Sequence, residues 1–137
     1  MRGPTSLPRE GFTTAHRYTI TPEVYEQFLL TFGDTNRLHT EDGFARSRGF
    51  PERVMHGAIL NGFISHFIGV HFPGDASLLH SVNTHFKSPC HLGDQILIEA
   101  TVTQVSEAVG VATLEMVLTN VTRERVAAKA KVQVGLP

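Results

Sequence analysis

Residues 78 to 134 alternate between apolar and polar side chains, a pattern that predicts β-strands. Turn-prone stretches such as "SPCHLGD" and "NVTRER" separate the alternating runs. An earlier stretch rich in β-forming residues, Thr13 to Ile20, predicts a further strand near the start of the chain. The predicted strands are therefore 13–20, 78–87, 96–103, 111–118 and 125–134.

Two helices are predicted between the first strand and the others. Thr21 suits the N-cap of a helix, Pro22 suits its first position and Gly33 suits its end. Between them, apolar side chains recur at helical spacing, at Val24, Tyr25, Phe28, Leu29 and Phe32. The stretch from Met55 to Gly74, "MHGAILNGFISHFIGVHFPG", is apolar nearly all round, which is typical of a buried helix.

This order of elements predicts an α+β fold in which a sheet folds over a helix, as one domain spanning residues 1–137. A curved sheet would supply much of the cover that a helix without a polar face needs. Such a sheet leaves its edge strands open, and pairing the edges of two copies would cover them. We therefore predict a homodimer.

Composition and charge exclude several classes of function. The net charge is −1, from 12 basic and 13 acidic residues without a basic block, so a nucleic-acid partner is not expected. No apolar run approaches the roughly 20 residues of a membrane helix. The start, "MRGPTSLPREG", lacks the apolar core of a secretory signal, and the single cysteine fits a reducing compartment. We expect a cytoplasmic protein, or one of the mitochondrial matrix if the source is eukaryotic.

The stretch "FGDTNRLHTEDGFA" lies in a predicted loop with a short helical turn at 41–46, and it places Asp34 and His39 close together in sequence. The structural interpretation is turn chemistry, with Asp34 closing a turn after Gly33 and His39 on the surface. The functional interpretation is an acid and a base that share one water molecule. The pattern alone leaves both interpretations open.

His56 and Gly57 stand at the start of the predicted long helix. A helix N-terminus offers free N–H groups and positive potential, which suit an oxygen atom that gains charge during a reaction. Alternatively, Gly57 could serve only close packing, and His56 could only cap the helix. Residue pattern does not decide between these interpretations.

Other candidate chemistry has weaker support. The eight histidines show no H-x-H or H-E-x-x-H pattern, so a metal site is not predicted. Cys90 and His91 are adjacent, and their side chains point apart in extended chain. Ser65 and His66 would not face each other on a helix. Neither pair is expected to act as a nucleophile and its base.

Three motifs resemble those of the MaoC-like, (R)-specific enoyl-CoA hydratases. "GDTNRLH", with Ala45 after five further residues, resembles the pattern [ST]-G-D-x-N-P-[LIV]-H-x5-[AS]. "RVMHGAILNG" resembles the second motif, in which His-Gly opens the central helix, and "FKSPCHLGDQI" resembles F-x-x-P-x-x-x-G-D-x-[ILV]. The motifs occur in the family's order and cover about residues 28–98.

The resemblance implies a hotdog fold, a five-stranded antiparallel sheet wrapped around a long helix, normally paired into a dimer. It implies reversible syn addition of water to a trans-2-enoyl thioester, giving an (R)-3-hydroxyacyl thioester. Asp34 and His39 match the family's catalytic pair, and the Gly57 N–H matches the donor to the thioester carbonyl. No metal or redox cofactor is implied, and coenzyme A or acyl carrier protein carries the acyl group.

The resemblance also directs attention to further residues in and near the motifs. Five are expected to contact substrate: Asn36, Arg37, His56, Asn61 and Gly62. Phe32, Arg37 and Gly62 depart from residues usual in the family, and we expect these departures to affect substrate choice more than reaction class. The basic residues expected to attract the anionic end of the substrate are Arg48, Arg53 and Lys87.

Two alternative functions stay open at this point. One is a hotdog acyl thioesterase, and the other is a non-catalytic module that binds thioesters. The paired Asp34 and His39 argue against the first, and their joint presence argues against the second.

Overall fold

Five antiparallel strands form one sheet in the order β1-β3-β4-β5-β2 in the computed structural model, which describes residues 7–136. The strands are β1 Thr13–Thr19, β2 Leu78–Phe86, β3 Gln95–Ser106, β4 Val111–Asn120 and β5 Arg125–Gly135. All five predicted strands are confirmed. The two edges of the sheet are β1 and β2.

The helices are α1 Pro22–Phe32, α2 Arg37–Thr40, α3 Asp42–Ser47 and α4 Ala58–His66, and a π-helical turn, Phe67–His71, continues α4. The predicted caps of α1 are confirmed. The Thr21 hydroxyl accepts the Val24 N–H at 3.1 Å, and Gly33 ends the helix with a φ of 65°. Left-handed backbone of this kind favours glycine. The predicted loop after α1 contains two short helices instead of one turn.

The central helix is shorter than the predicted span of 55–74. Residues before Gly57 are not helical, because their backbone groups bond to neighbouring segments. The Val54 N–H donates to the Leu38 carbonyl at 2.9 Å, and the Met55 N–H donates to the Cys90 carbonyl at 2.8 Å. The helix therefore begins only where these bonds end.

The core lies between α4 and the inner face of the sheet. The side chains of α4 that enter it are Ile59, Leu60, Phe63 and Ile64. Every second residue of the first half of β3 is buried, as the alternation predicts: Ile96, Ile98, Ala100 and Val102. Strand β2 departs from strict alternation, because the register with β5 shifts between Leu79 and Ser81. Such a bulge moves later side chains to the other face.

One face of the central helix is open in the single chain, which differs from the prediction of a helix covered nearly all round. Ala58, Gly62 and Ser65 are exposed on α4, and Val70 in the π-helical turn is 63% exposed. The neighbouring edge strand β2 also exposes a large apolar side chain, since Phe86 is 53% exposed. Among residues 7–136, no helix is long and apolar enough to cross a membrane.

Candidate active site

His39 is held in one orientation by its surroundings. The Asn36 side chain accepts the Leu38 N–H at 2.9 Å and so caps α2, the short helix that carries His39. The imidazole Nδ1 lies 2.7 Å from the Val54 carbonyl. Because a carbonyl can only accept, Nδ1 carries the hydrogen, and Nε2 is left for water or substrate. The Tyr25 hydroxyl donates to the His39 carbonyl at 2.6 Å and fixes the backbone as well.

Asp34 serves both turn chemistry and the candidate pair. Its carboxylate accepts the Asn36 N–H at 3.3 Å, so the structural interpretation applies. The same side chain is exposed and stands beside two imidazoles, and one ligand atom each of Asp34, His39 and His56 lie within 4.8 Å of one another. The turn therefore also presents the carboxylate to His39.

His56, which was expected to contact substrate, lines a cavity together with Gly57 and lies beside Asp34 and His39; that grouping was not foreseen from the sequence. The ring is 2% exposed, and its Nε2–H donates to the Asp34 backbone carbonyl at 2.9 Å. The ring centroid lies 4.1 Å from that of His39 and 4.8 Å from that of Phe28. No side chain caps α4, so the capping interpretation of His56 is wrong. Side chains of these three types could also hold a metal ion, a grouping that histidine spacing alone did not indicate.

Gly57 stands at the N-cap of α4 and lines a cavity of about 360 Å³. His39 and the segment 86–90 form other parts of the cavity wall. Among residues 7–136, the Gly57 N–H makes no hydrogen bond. A Cβ atom at this position would lie 3.2 Å from the Phe86 ring, a tight contact that the ring would have to relieve by moving a few tenths of an ångström. The site thus combines a free helix N-terminal N–H with a nearby imidazole.

The thiol that lines the same cavity is not a nucleophile. Burial, and secondarily the charge of Asp94, raise the pKa of Cys90 to about 11. A thiol with this pKa stays protonated near neutral pH, and the thiolate is the reactive form.

Asp94 organises the turns behind the cavity, a role that sequence reasoning missed. The carboxylate is 1% exposed and accepts from Arg123 Nε at 2.9 Å, Asn120 Nδ2 at 2.7 Å and the His91 N–H at 2.9 Å. The His91 ring in turn donates to the Arg53 carbonyl at 2.9 Å. The Gly-Asp of the third motif, the signal that could have indicated this role, therefore supports the segment that leads to Gly57.

Three other predicted substrate contacts have partners or positions away from the cavity. Arg37 forms an ion pair with Glu41, and its guanidinium lies 4.5 Å from the centre of the Phe44 ring. The Asn61 side chain accepts the Thr84 hydroxyl at 2.7 Å, which ties α4 to β2. Gly62 lines a separate groove of about 320 Å³ together with α1 side chains.

The three predicted anion-binding residues also differ in position. Arg53 lies 3.6 Å from the Asp42 carboxylate, and the Arg48 guanidinium lies 4.9 Å from the Phe44 ring centre. Lys87 lines the cavity. Of these three cations, Lys87 is therefore the one placed to meet a ligand there.

A five-stranded antiparallel sheet over a helix, with an acid–imidazole pair beside the helix N-terminus, defines a hotdog protein with a candidate acid–base site. The chain belongs to the MaoC-like domain family, whose profile matches residues 5–126. The predicted family is confirmed.

Individual relatives agree with this assignment. An (R)-specific enoyl-CoA hydratase of Rhodospirillum rubrum is 30% identical over 95 residues, which cover 69% of this chain and 66% of the relative. A mitochondrial 3-hydroxyacyl-[acyl-carrier-protein] dehydratase of Arabidopsis thaliana is 39% identical over 64 residues, 47% of this chain and 37% of the relative. The matched region thus spans about two thirds or less of these curated relatives.

Solved structures show the same fold. The (R)-hydratase from A. caviae involved in PHA biosynthesis superposes with a TM-score of 0.86 at 25% identity, over 95% of this chain and 98% of that chain. An R-hydratase from Pseudomonas aeruginosa gives a TM-score of 0.86 at 21% identity, over 95% of this chain and 83% of that chain. The predicted hotdog arrangement of sheet and helix is confirmed.

Proposed function

We propose that this protein adds water reversibly to trans-2-enoyl thioesters, giving (R)-3-hydroxyacyl thioesters. The observation that carries the proposal is that ligand atoms of Asp34 and His39 lie within 4.8 Å of each other, while His39 and Gly57 line the same cavity. The names of the relatives, an enoyl-CoA hydratase and a 3-hydroxyacyl dehydratase, support the same reaction in its two directions.

We assign each group that hydration needs to a residue of this site. One water bound between the Asp34 carboxylate and His39 Nε2 gives its oxygen to C3 of the substrate, while the pair takes up the proton. The electrons of the C2–C3 double bond move toward the thioester carbonyl, whose oxygen gains negative charge. The Gly57 N–H and the positive end of α4 stabilise that charge. The pair then returns a proton to C2 on the same face, and either residue can act as the base.

The thioester handle is coenzyme A or acyl carrier protein, and Lys87 is proposed to meet its anionic part. Lys87→Ala should raise KM for an acyl-CoA at low salt, because a cation near an anion attracts it most when salt is low. Arg48→Ala is the matched control, since this guanidinium stacks on Phe44. Equal KM values for both variants would remove Lys87 from the proposal.

A homodimer is proposed from the open surfaces described above. The exposed face of α4 and the edge strand β2 are joined by the Asn61–Thr84 hydrogen bond, so one partner could cover both. An uncovered sheet edge favours pairing with another chain. Sedimentation at micromolar concentration should give twice the mass of one chain. A single-chain mass would contradict the homodimer.

The predicted compartment, cytoplasm or mitochondrial matrix, stays a prediction. The Arabidopsis relative is named as mitochondrial. Imaging of the tagged protein in its own cells would decide between the two compartments.

Crotonyl-CoA tests the proposed reaction in one cuvette. Hydration should lower the ultraviolet absorbance of the conjugated enoyl group without releasing free thiol. Release of coenzyme A thiol would indicate the thioesterase alternative. Saturable binding without either change would indicate the non-catalytic module. Formation of (R)-3-hydroxybutyryl-CoA, checked on a chiral column, would establish the stereochemistry.

A further inference from the structure

Two segments that are distant in sequence build the site. Residues 33–40 supply Asp34 and His39, and residues 54–57 lead to the Gly57 N–H. Within the described part of the chain, three hydrogen bonds join these segments: Val54 N–H to Leu38 O at 2.9 Å, His39 Nδ1 to Val54 O at 2.7 Å, and His56 Nε2 to Asp34 O at 2.9 Å. The first two hold the part of the loop that carries His39, and only the third reaches Asp34.

Asp34 depends on His56 for its tertiary placement. Asp34 is exposed, and within the described residues its carboxylate bonds only to the nearby Asn36 N–H, at 3.3 Å. Among residues 7–136, the bond from His56 is the one hydrogen bond that links Asp34 to a residue distant in sequence. Misplacing a reacting group by about 1 Å can cost on the order of 10²-fold in rate. This bond therefore bears directly on catalysis.

The surroundings of His56 suit holding a position rather than exchanging protons. The ring is 2% exposed and packs against Phe28 and His39, with centroids at 4.8 and 4.1 Å. Nε2 carries a hydrogen because its partner is a carbonyl. Nδ1 is buried and has no partner among the described residues.

We propose that His56 is a positioning residue that fixes the Asp34 backbone beside His39. Through its peptide bond to Gly57, His56 also sets the distance between that pair and the N–H that receives the developing charge. One buried side chain thereby joins the proton-transfer half of the site to the charge-stabilising half. This inference rests on the proposed hydration reaction for its effect on rate, but its effect on the loop can be measured without substrate.

The central variant is His56→Phe, which keeps a flat ring and removes the hydrogen-bond donor. We expect kcat for crotonyl-CoA to fall on the order of 10²-fold, with little change in KM. His56→Gln can place an amide donor near the position of Nε2 and should recover much of this loss. The matched control is His91→Phe. His91 is 0% exposed, its Nδ1 bonds to the Arg53 carbonyl and its Nε2 also lacks a partner in the described chain, but within residues 7–136 its ring makes no hydrogen bond to Asp34. The His91→Phe variant should be less stable than the wild type, but its loss of kcat should be much smaller than that of His56→Phe.

A double variant separates positioning from general damage. Because His56 acts through Asp34, Asp34→Asn with His56→Phe should be no slower than Asp34→Asn alone. The inference would be overturned if the kcat losses of the two single variants multiplied in the double variant. It would also be overturned if kcat for His56→Phe were no lower than for His91→Phe.

Amide hydrogen exchange tests the positioning without any activity. Exchange at residues 33–37 should be faster in His56→Phe than in wild type and in His91→Phe. Unchanged exchange would overturn the positioning role. The exchange rates of both variants are compared with those of the wild type, whether or not the wild type hydrates crotonyl-CoA. If the wild type does not hydrate the substrate but exchange at residues 33–37 is still faster in His56→Phe, the proposed function is wrong and the positioning role of His56 is supported.

Discussion

Histidines gather at both ends of the central helix, and the two groups differ in how they are held. At the N-terminal end, each ring of His39 and His56 has a nitrogen bonded to a backbone carbonyl. At the other end, the rings of His16 and His71 are tilted by 31° with centroids 3.7 Å apart, while His66 Nδ1 lies 2.9 Å from the Tyr18 hydroxyl.

Proximity of imidazoles alone does not supply what proton transfer needs. A carbonyl partner fixes both the tautomer and the orientation of a ring, and proton transfer needs both. The second group has rings in contact but lacks a carboxylate and a free N–H in the contacts of the described residues. Burial raises the pKa of Tyr18 to about 12, so Tyr18 there stays a protonated hydrogen-bond partner.

The largest effect should come from the carbonyl-anchored group. Asp34→Asn and His39→Gln should each lower kcat by on the order of 10²–10⁴, the usual contribution of a positioned acid or base. Steady-state assays with crotonyl-CoA measure this loss. Asparagine can still accept the Asn36 N–H, so the melting temperature should barely move.

Two further variants complete this test. The double variant of Asp34 and His39 should be little worse than either single, because the two groups act as one unit. His66→Gln, at the other end of the helix, should leave kcat unchanged. If the single variants stay active but their melting temperatures fall by several degrees, Asp34 and His39 have a purely structural role.

A smaller effect is expected from the two tyrosines that support the groups. Tyr25 is 5% exposed and donates to the His39 carbonyl, so Tyr25→Phe should cost about 1 kcal/mol of unfolding free energy and also reduce kcat. Tyr18→Phe removes the bond to the exposed His66 and should leave kcat unchanged. Denaturant unfolding and kcat measured on both variants check this. A loss of kcat in Tyr18→Phe alone would reverse the assignment of roles.

The second group, His16, His66 and His71, should affect how stability depends on pH. Partial desolvation, and then the charges of His16 and His66, lower the pKa of His71. The unfolded chain therefore binds a proton more readily than the folded one, so stability is greatest above the unfolded value of about 6.5 and falls as pH drops below it. His71→Gln should flatten this fall in melting temperature between pH 7 and 5. An unchanged pH dependence in the variant would assign it to other groups.

The smallest expected effect is that of a chelator. Asp34, His39 and His56 could approach a metal ion, but the proposed hydration needs only a bound water. Incubation with EDTA should leave kcat unchanged, and added zinc should not raise it. Loss of activity on chelation that zinc restores would show that the group holds a metal.

Much of the fold follows from the local pattern of apolar and polar residues, because burial of one face of each strand produces that pattern. Inward residues of β3 such as Ile96 and Ile98 are fully buried, since a pleated strand repeats every two residues and one face must leave water. The bulge in β2 was beyond such reasoning, because it depends on how β2 pairs with β5. The open face of α4 was missed for a related reason: apolar residues all round do not say which neighbour covers each face.

The sequence by itself determined the strands, the caps of α1 and, through three motifs, the family and the candidate pair Asp34 and His39. These properties depend on short stretches of sequence, in which residues close along the chain interact directly. Only the tertiary structure decided that His56 tethers Asp34, that Lys87 rather than Arg53 lines the cavity, and that Asp94 supports the turns behind it. Each of these depends on which distant segments the folded sheet brings within hydrogen-bonding distance, and no local pattern records that.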